Sequence, residues 1–289
     1  MQVTKKQKAQ SLLMRRIRAF TRNRLAMLGS IIVGIMLMLI LLAPLVSSYP
    51  PDKPDFAVKN VPPSAQHPLG TDNLGRDILS RILYGGRMSL LIALIGAVSG
   101  ALIGVLFGSI AGYFGGLVDS VLVRISELFQ TFPQLILVMM LMSFIGQGVG
   151  NLILIFSVTG WVGTFRQVRA EFLTLKEETY VEVARAFGMS RPAIMFKEIL
   201  PSVSTTIIIQ ITMALPGIIL SEAGLSYLGV GVPSSVPTWG NMLNAAKSLN
   251  VIMNYWWMWI TPGLAICLFV LSVNFIGDGL RDVMDPRQQ

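Results

Sequence analysis

Long uncharged runs alternate with short polar stretches along this chain, and their lengths divide it into membrane spans and loops. Leu25 to Val46 carries no charge. At about 1.5 Å per helical residue such a run crosses a hydrocarbon core of about 30 Å. Met88 to Val118 is again uncharged, as is the stretch from Leu128 to Phe165, which the turn "GQGVGN" (146–151) divides into two spans. Pro133 is expected to kink the first of these two. Ile199 to Ser221 forms a fifth run, with a bend expected at Pro216-Gly217, and 256–277 a sixth. The pattern predicts an all-α membrane protein with six transmembrane helices. Its parts are a tail over 1–24, a first helix over 25–48, an external loop over 49–87, a core over 88–280 and a terminus over 281–289.

Composition agrees with that pattern. The 289 residues are 53% hydrophobic and only 13% charged, where a soluble domain carries about 25%. The formal charge of +8 comes entirely from the tail, which holds Lys5, Lys6, Lys8, Arg15, Arg16, Arg18, Arg22 and Arg24 and no acid. Basic residues beside a span mark its cytoplasmic side, so the tail, and after six crossings the C-terminus, are expected inside the cell membrane. No aromatic-rich basic face accompanies the tail, which argues against nucleic acid. The tail and first run read as a retained anchor, because the run is longer than a signal-peptide core. The loop 49–87 dissents from this topology, with five basic residues against four acids.

Within the core, Gly96, Gly100, Gly104, Gly108 and Gly112 recur at every fourth position. This places them on one helix face, where another backbone can approach closely. Arg124 and Glu127, three apart, are expected to pair. Tyr255, Trp256, Trp257 and Trp259 read as an interfacial aromatic belt before the last span. Residues 222–255 read as an outer loop. Cys267, in an apolar run, reads as a small packing residue. His67 is the only histidine; without nearby ligands it reads as a loop-fixing residue, so no metal site is expected. Glu222, at the outer end of the fifth run, is a candidate for the translocation path or its gate, because an acid in a membrane segment defaults to function. A structural hydrogen bond to the following loop is the competing reading.

Residues 166–198 form a polar insert between apolar runs. "TYVEVARAFGMSRPAIMFKEILP" reads as two short helical pieces joined at Gly188, where glycine permits a reversal that a side chain penalises. Glu182 is expected to cap the first piece, and Ala184 and Ala186 to keep its surface low enough to enter a groove. Pro192 suits the first turn of the second piece, and Pro201 the first turn of the next span. Such a segment, rigidly joined to two spans on the cytoplasmic side, is a lever for a soluble partner.

This stretch resembles the EAA loop of ABC importer permeases: EAA, three residues, Gly, nine residues, then I-x-L-P. Glu182, Ala184, Gly188, Leu200 and Pro201 match in register, whereas Val183 replaces the first alanine and Glu198 the isoleucine. "RNRLAMLG", "HPLGTDNLGRDILSRILYGGRMSL", "AGYFGG", "LSEAGLSYLGVGV", "PTWGNML" and "GDGLRDVMDPR" extend the resemblance along nearly the whole chain, to the second of two paired permeases in the dipeptide, oligopeptide and nickel branch. It implies the type I importer fold, with a five-helix core behind the first span. It also implies partners: a homologous second permease, two cytoplasmic ABC ATPases carrying ATP and magnesium, and an extracytoplasmic substrate-binding protein, all at the lipid bilayer. The loop 174–200, with Glu182, Ala184, Arg185, Ala186, Gly188, Met189, Ser190 and Pro201, would dock on one ATPase. The chain has no G-x-x-x-x-G-K-[ST] loop of its own, so it reads as a transport subunit and not an enzyme. Peptides are the first expectation for substrate, then nickel or other metal chelates, then glutathione-like molecules. A membrane-embedded hydrolase is the remote alternative, because one histidine cannot supply a zinc site and no Ser-x-x-Lys pair lies in a span.

Overall fold

The computed structural model describes residues 20–284. The basic residues Lys5 to Arg18 and residues 285–289, expected at the cytoplasmic ends, lie outside the described residues. Among the described residues the fold is all-helical, apart from a single bridge between Thr71 and Asp77. Five helices are long and apolar enough to cross a membrane, and a sharply bent pair makes six.

The first span, α1 (Arg24–Leu41), starts at Asn23, whose side-chain oxygen accepts from the Leu25 and Ala26 N–H groups. Asn23 also donates to Asp282 at 3.1 Å. That bond ties the first span to the last.

The second span, α2 (Ile78–Phe114), has 37 residues, about 55 Å of helix. It begins ten residues before the expected boundary at Met88, so the external loop ends at Asp77. The charges at 76–87 look like loop residues but are bound to the fold. Arg81 donates to Pro51 O, Arg87 donates to the carbonyls of Ile40 and Leu41 at the end of α1, and Arg76 pairs with Asp72 at 2.7 Å. Three of the five basic residues that dissented from the topology rule are therefore engaged internally. Asp77 caps α2 by accepting from Ser80 N, and holds His67 through Nδ1 at 2.9 Å. His67 is thus fixed within its loop, as a structural residue.

Helices α3 (Gly116–Thr131) and α4 (Gln134–Ile145) meet at 89°. Pro133 does not kink one helix but separates two. It has no N–H to give, and it forces Phe132 into extended geometry (φ −103°, ψ 140°). On α3, Arg124 donates to Glu127 at 2.8 Å.

Helices α5 (Val149–Thr159) and α6 (Trp161–Leu175) run on as one 27-residue apolar helix through Gly160. Residues 166–175, assigned above to the polar insert, thus belong to the span. Two of their charged groups find partners on neighbouring helices: Arg169 grips the Asp119 carboxylate with two N–H groups, and Glu171 accepts from Thr206.

After the short helix α7 (Thr179–Ala186), one turn over Arg191–Ala193 and a π-helical segment over Ile194–Ile199 lead into α8 (Leu200–Leu228). Pro216 lies inside α8 without ending it. The expected outer loop therefore starts only at Gly229, and it is largely folded. It carries α9 (Trp239–Leu243) and α10 (Leu249–Asn254) before the last span, α11 (Trp257–Met284). Trp239 is fully buried and donates to Ile82 O. The aromatic belt is only partly a belt: Trp256 is exposed, but Trp257 is buried and donates to Thr71 O at 3.1 Å. Cys267 is exposed on α11 and not packed inside the chain.

The five-glycine face of α2 lies buried against α5 and α6. A Cβ at Gly104 would sit 2.6 Å from Trp161 O, at Gly108 2.8 Å from Phe165 O, and at Gly112 2.5 Å from Phe172 Cβ. Gly96 and Gly100 are slightly roomier, at 3.1 Å from Phe156 Cβ and 3.3 Å from Gly160 C. The two helices approach until backbone meets backbone, a distance only glycine allows. Around this seam Ile92, Ala97, Phe156, Ile219 and Phe269 form the main core.

Candidate functional site: an exposed lever and a polar cavity

Two features could carry function, and both are arranged around α6. The first is the lever. On α7, Val181 and Ala184 turn inward and pack with Val168, Phe172, Ile194, Ile199 and Val203. This apolar cluster fastens the lever to α6 on one side and to α8 on the other. Ala184, expected to lie on a low outer surface, instead fits the inner seam, where its small side chain lets α7 lie close. Ala186 does face outward. Glu178 occupies the N-cap position, so Glu182 does not cap the helix; it stands exposed in the first turn, favourably placed for the helix dipole.

Gly188 ends the helix in the left-handed region at φ +77°. Its N–H donates to Arg185 O, and the Met189 N–H reaches back to Ala184 O. That closure satisfies the last carbonyls of the helix, as a glycine stop does. Met189 returns to the cluster beneath, Ser190 precedes the second piece, and Pro192 lies in its first turn, as Pro201 does in α8. The outer face that results is Glu182, Val183, Arg185, Ala186 and Phe187. Phe187 is 85% exposed, the barest large hydrophobic side chain of the described residues. Sequence reasoning passed over it; the signal available was an aromatic residue directly before the turn glycine.

The second feature is a cavity of about 620 Å³ where α3, α4, α5, α6 and α8 converge. Gln130 and Gln134, on either side of the Pro133 break, line it together with Thr164, Arg166 and Gln210. Arg166 is exposed and makes no ion pair among the described residues. It lies about 25 Å along the helix axis from Val149. That places it near the lever end of the span, where a long arginine side chain reaches the interface or the open cavity. These residues were also missed, although three glutamines within uncharged runs were a readable signal.

Glu222 belongs to neither feature. It is 1% exposed, and it lines none of the four cavities described. Its Oε1 accepts from Ser226 and Thr238, both at 2.8 Å, and Ser89 lies 3.4 Å from Oε2. The carboxylate thus joins α8, α2 and the loop before α9 in a closed node. No described group of three histidine, cysteine or acidic side chains could hold a metal ion.

Comparison with known proteins places this geometry in a family. Residues 104–289 match the model described as binding-protein-dependent transport system inner membrane component, and residues 11–63 match the N-terminal transmembrane domain of oligopeptide transport permease C. The dipeptide transport system permease protein DppC of Bacillus subtilis is 37% identical over 93% of this chain and 84% of its own length. The oligopeptide permease OppC of Escherichia coli is 38% identical over 94% of this chain and 90% of its own. Among solved structures, an inward-facing conformation of the MetNI methionine ABC transporter aligns with TM-score 0.54 at 19% identity, over 70% of this chain and 96% of that one. That likeness concerns the fold. The chain is a multi-pass inner-membrane protein, and it belongs to the binding-protein-dependent permeases of ABC importers, in the dipeptide, oligopeptide and nickel branch, as the second permease of the pair.

Proposed function

We propose that this permease forms half of the path of an ATP-driven importer for di- and oligopeptides and couples it to a cytoplasmic ATPase through the α7 lever. The peptide assignment rests on one observation: relatives named for dipeptide and oligopeptide transport match at 37–38% identity over nearly the full chain. A homologous second permease completes the path, two ATPases supply ATP and magnesium, and an external binding protein delivers substrate. The tail, the lever and the C-terminus face the cytoplasm. The engagement of Arg76, Arg81 and Arg87 in the opposite loop supports that orientation.

The coupling follows from the packing. Phe187, Val183, Glu182 and Arg185 offer an apolar tip ringed by charge to a groove on the ATPase. The rear of α7 is fixed to α6 and α8, so closure of the ATPases transmits displacement to the two helices that border the cavity. Uptake of a mixed di- and oligopeptide pool, set against a radiolabelled nickel chelate, in cells with and without this protein tests the assignment. Loss of peptide uptake alone supports it; loss of nickel uptake alone replaces peptide by metal chelate.

Two variants test the lever. Valine at Gly188 is sterically free, since a Cβ there meets nothing within 4 Å. It must nevertheless hold a left-handed conformation that costs about 1–2 kcal/mol and suits β-branched residues least. Gly188→Val is expected to lower peptide uptake about tenfold with membrane insertion intact, whereas Gly188→Asn, tolerant of that conformation, retains it. Equal uptake by the valine variant would remove the turn from the mechanism. Phe187→Ala is expected to weaken ATPase docking by about 2 kcal/mol, as loss of a buried aromatic anchor does. The amount of ATPase co-purifying with the permease measures this.

A further inference from the structure

The cavity beside α6 has a chemistry that the coupling role does not use. Its wall carries one cation, Arg166, and three primary amides, Gln130, Gln134 and Gln210; no acidic side chain lines it among the described residues. The break at Pro133 brings the two α3–α4 glutamines there from helices that diverge by 89°. Arg166 makes no hydrogen bond or ion pair among the described residues. The other arginine of the same helix, Arg169, is held by Asp119.

We propose that this cavity reads the peptide terminus, with the Arg166 guanidinium binding the C-terminal carboxylate and the glutamine amides binding the peptide backbone. The inference rests on the peptide reading above and deepens it. A guanidinium presents a planar fork that matches a carboxylate with two parallel hydrogen bonds. Each glutamine amide offers an acceptor and two donors, the complement of a peptide unit, whatever side chains the peptide carries. The volume of about 620 Å³ lies within the range of about 300–1,000 Å³ found for small-ligand sites. One fixed charge with neutral amides also suits passage, since a transport site must bind well enough to admit its substrate and weakly enough to release it. The substrates favoured are peptides with a free carboxyl end over those whose end is masked.

The test uses the whole importer in proteoliposomes, with trialanine and trialanine amide as probes and Arg166→Gln and Arg166→Lys as variants. ATP hydrolysis stimulated by the loaded binding protein reports whether each assembly is intact. Arg166→Gln is expected to cut trialanine uptake about tenfold, the weight of one charge-assisted hydrogen bond, while changing amide uptake less than about twofold. Arg166→Lys, which keeps the charge but loses the fork, is expected to fall between the two, retaining more trialanine uptake than Arg166→Gln and less than the native protein. Equal loss of both probes, or no loss of either, overturns the proposal. Should the native importer not move the amide, the two variants decide: a larger loss with Gln than with Lys supports charge recognition, and equal loss with both overturns it. Native importer that moves neither peptide but carries a nickel chelate would instead end the peptide reading, a separate outcome.

Discussion

Valine in place of Gly104 is expected to remove the folded permease from the membrane or leave it severely destabilised. The new Cβ would stand 2.6 Å from Trp161 O, 2.7 Å from Thr164 Cβ and 2.9 Å from Phe165 N. Two of those three atoms are backbone, so no side-chain rotation relieves the clash, and α6 itself must retreat from α2. Overpacking in an ordinary core costs about 1–3 kcal/mol and occasionally more. Here the displaced helix also carries the Asp119–Arg169 pair, the Glu171–Thr206 bond and the cluster beneath the lever, so the upper end of that range applies. Thermal unfolding in detergent should fall by at least about 6 °C. Gly34→Val is the matched control, because a Cβ at Gly34 meets nothing within 4 Å; its midpoint should stay within about 2 °C. Equal stability of the two variants would mean that α2 and α6 do not pack through glycine.

The glycine seam was legible in the sequence because spacing by four on a helix is a one-dimensional pattern with one three-dimensional meaning. The spans were legible for a similar reason: a hydrocarbon slab tolerates only long uncharged helices, so their lengths appear directly in the run lengths. Gly188 was legible from its context, a glycine between two helix-forming pieces.

What escaped was set by partners distant in sequence. Arg81 and Arg87 look like loop residues until their acceptors, Pro51 O and Ile40 O, are known; those bonds let α2 begin at Ile78. Arg169 and Glu171 look like the start of a polar insert until Asp119 and Thr206 are placed beside them. Ala184 and Ala186 are chemically the same residue, and only the packing of α7 on Val168 and Val203 separates the inner from the outer one. The π-helical segment Ile194–Ile199 has no compositional signature that separates it from α-helix. It widens the turn that leads from Ala193 into α8. The cavity was hidden differently: its glutamines lie on three helices, and the 89° break that gathers two of them is a quantity the proline announces only as a break.

Glu222 separates structural from transport roles most sharply, because its two oxygens are unequally used. Among the hydroxyls, Oε1 accepts both 2.8 Å bonds, from Ser226 and Thr238, while Ser89 stands 3.4 Å from Oε2; the Gly240 backbone N–H also donates to the carboxylate. Alanine at this position removes the acceptor shared by three hydroxyls at a buried junction, of which Ser89 and Thr238 keep only the N–H groups of Trp239 and Asn241 that they accept from. Unsatisfied buried groups cost about 1–3 kcal/mol each, and the emptied space adds to that cost. Glu222→Ala should therefore lose on the order of 3 kcal/mol or more, detectable as low membrane abundance and as proteolysis within residues 229–238, which Thr238 no longer anchors. Glutamine can keep its carbonyl where Oε1 stands and turn its amide towards the weakly used side. Both short bonds survive, and Glu222→Gln should be folded, within about 1 kcal/mol of the native protein, with peptide uptake retained. The gate reading predicts otherwise, since a gate that works through charge fails when the charge is removed. A glutamine variant that is stable, assembled and unable to transport would return Glu222 to the translocation path; one that transports normally makes it the residue that holds the outer loop to the span.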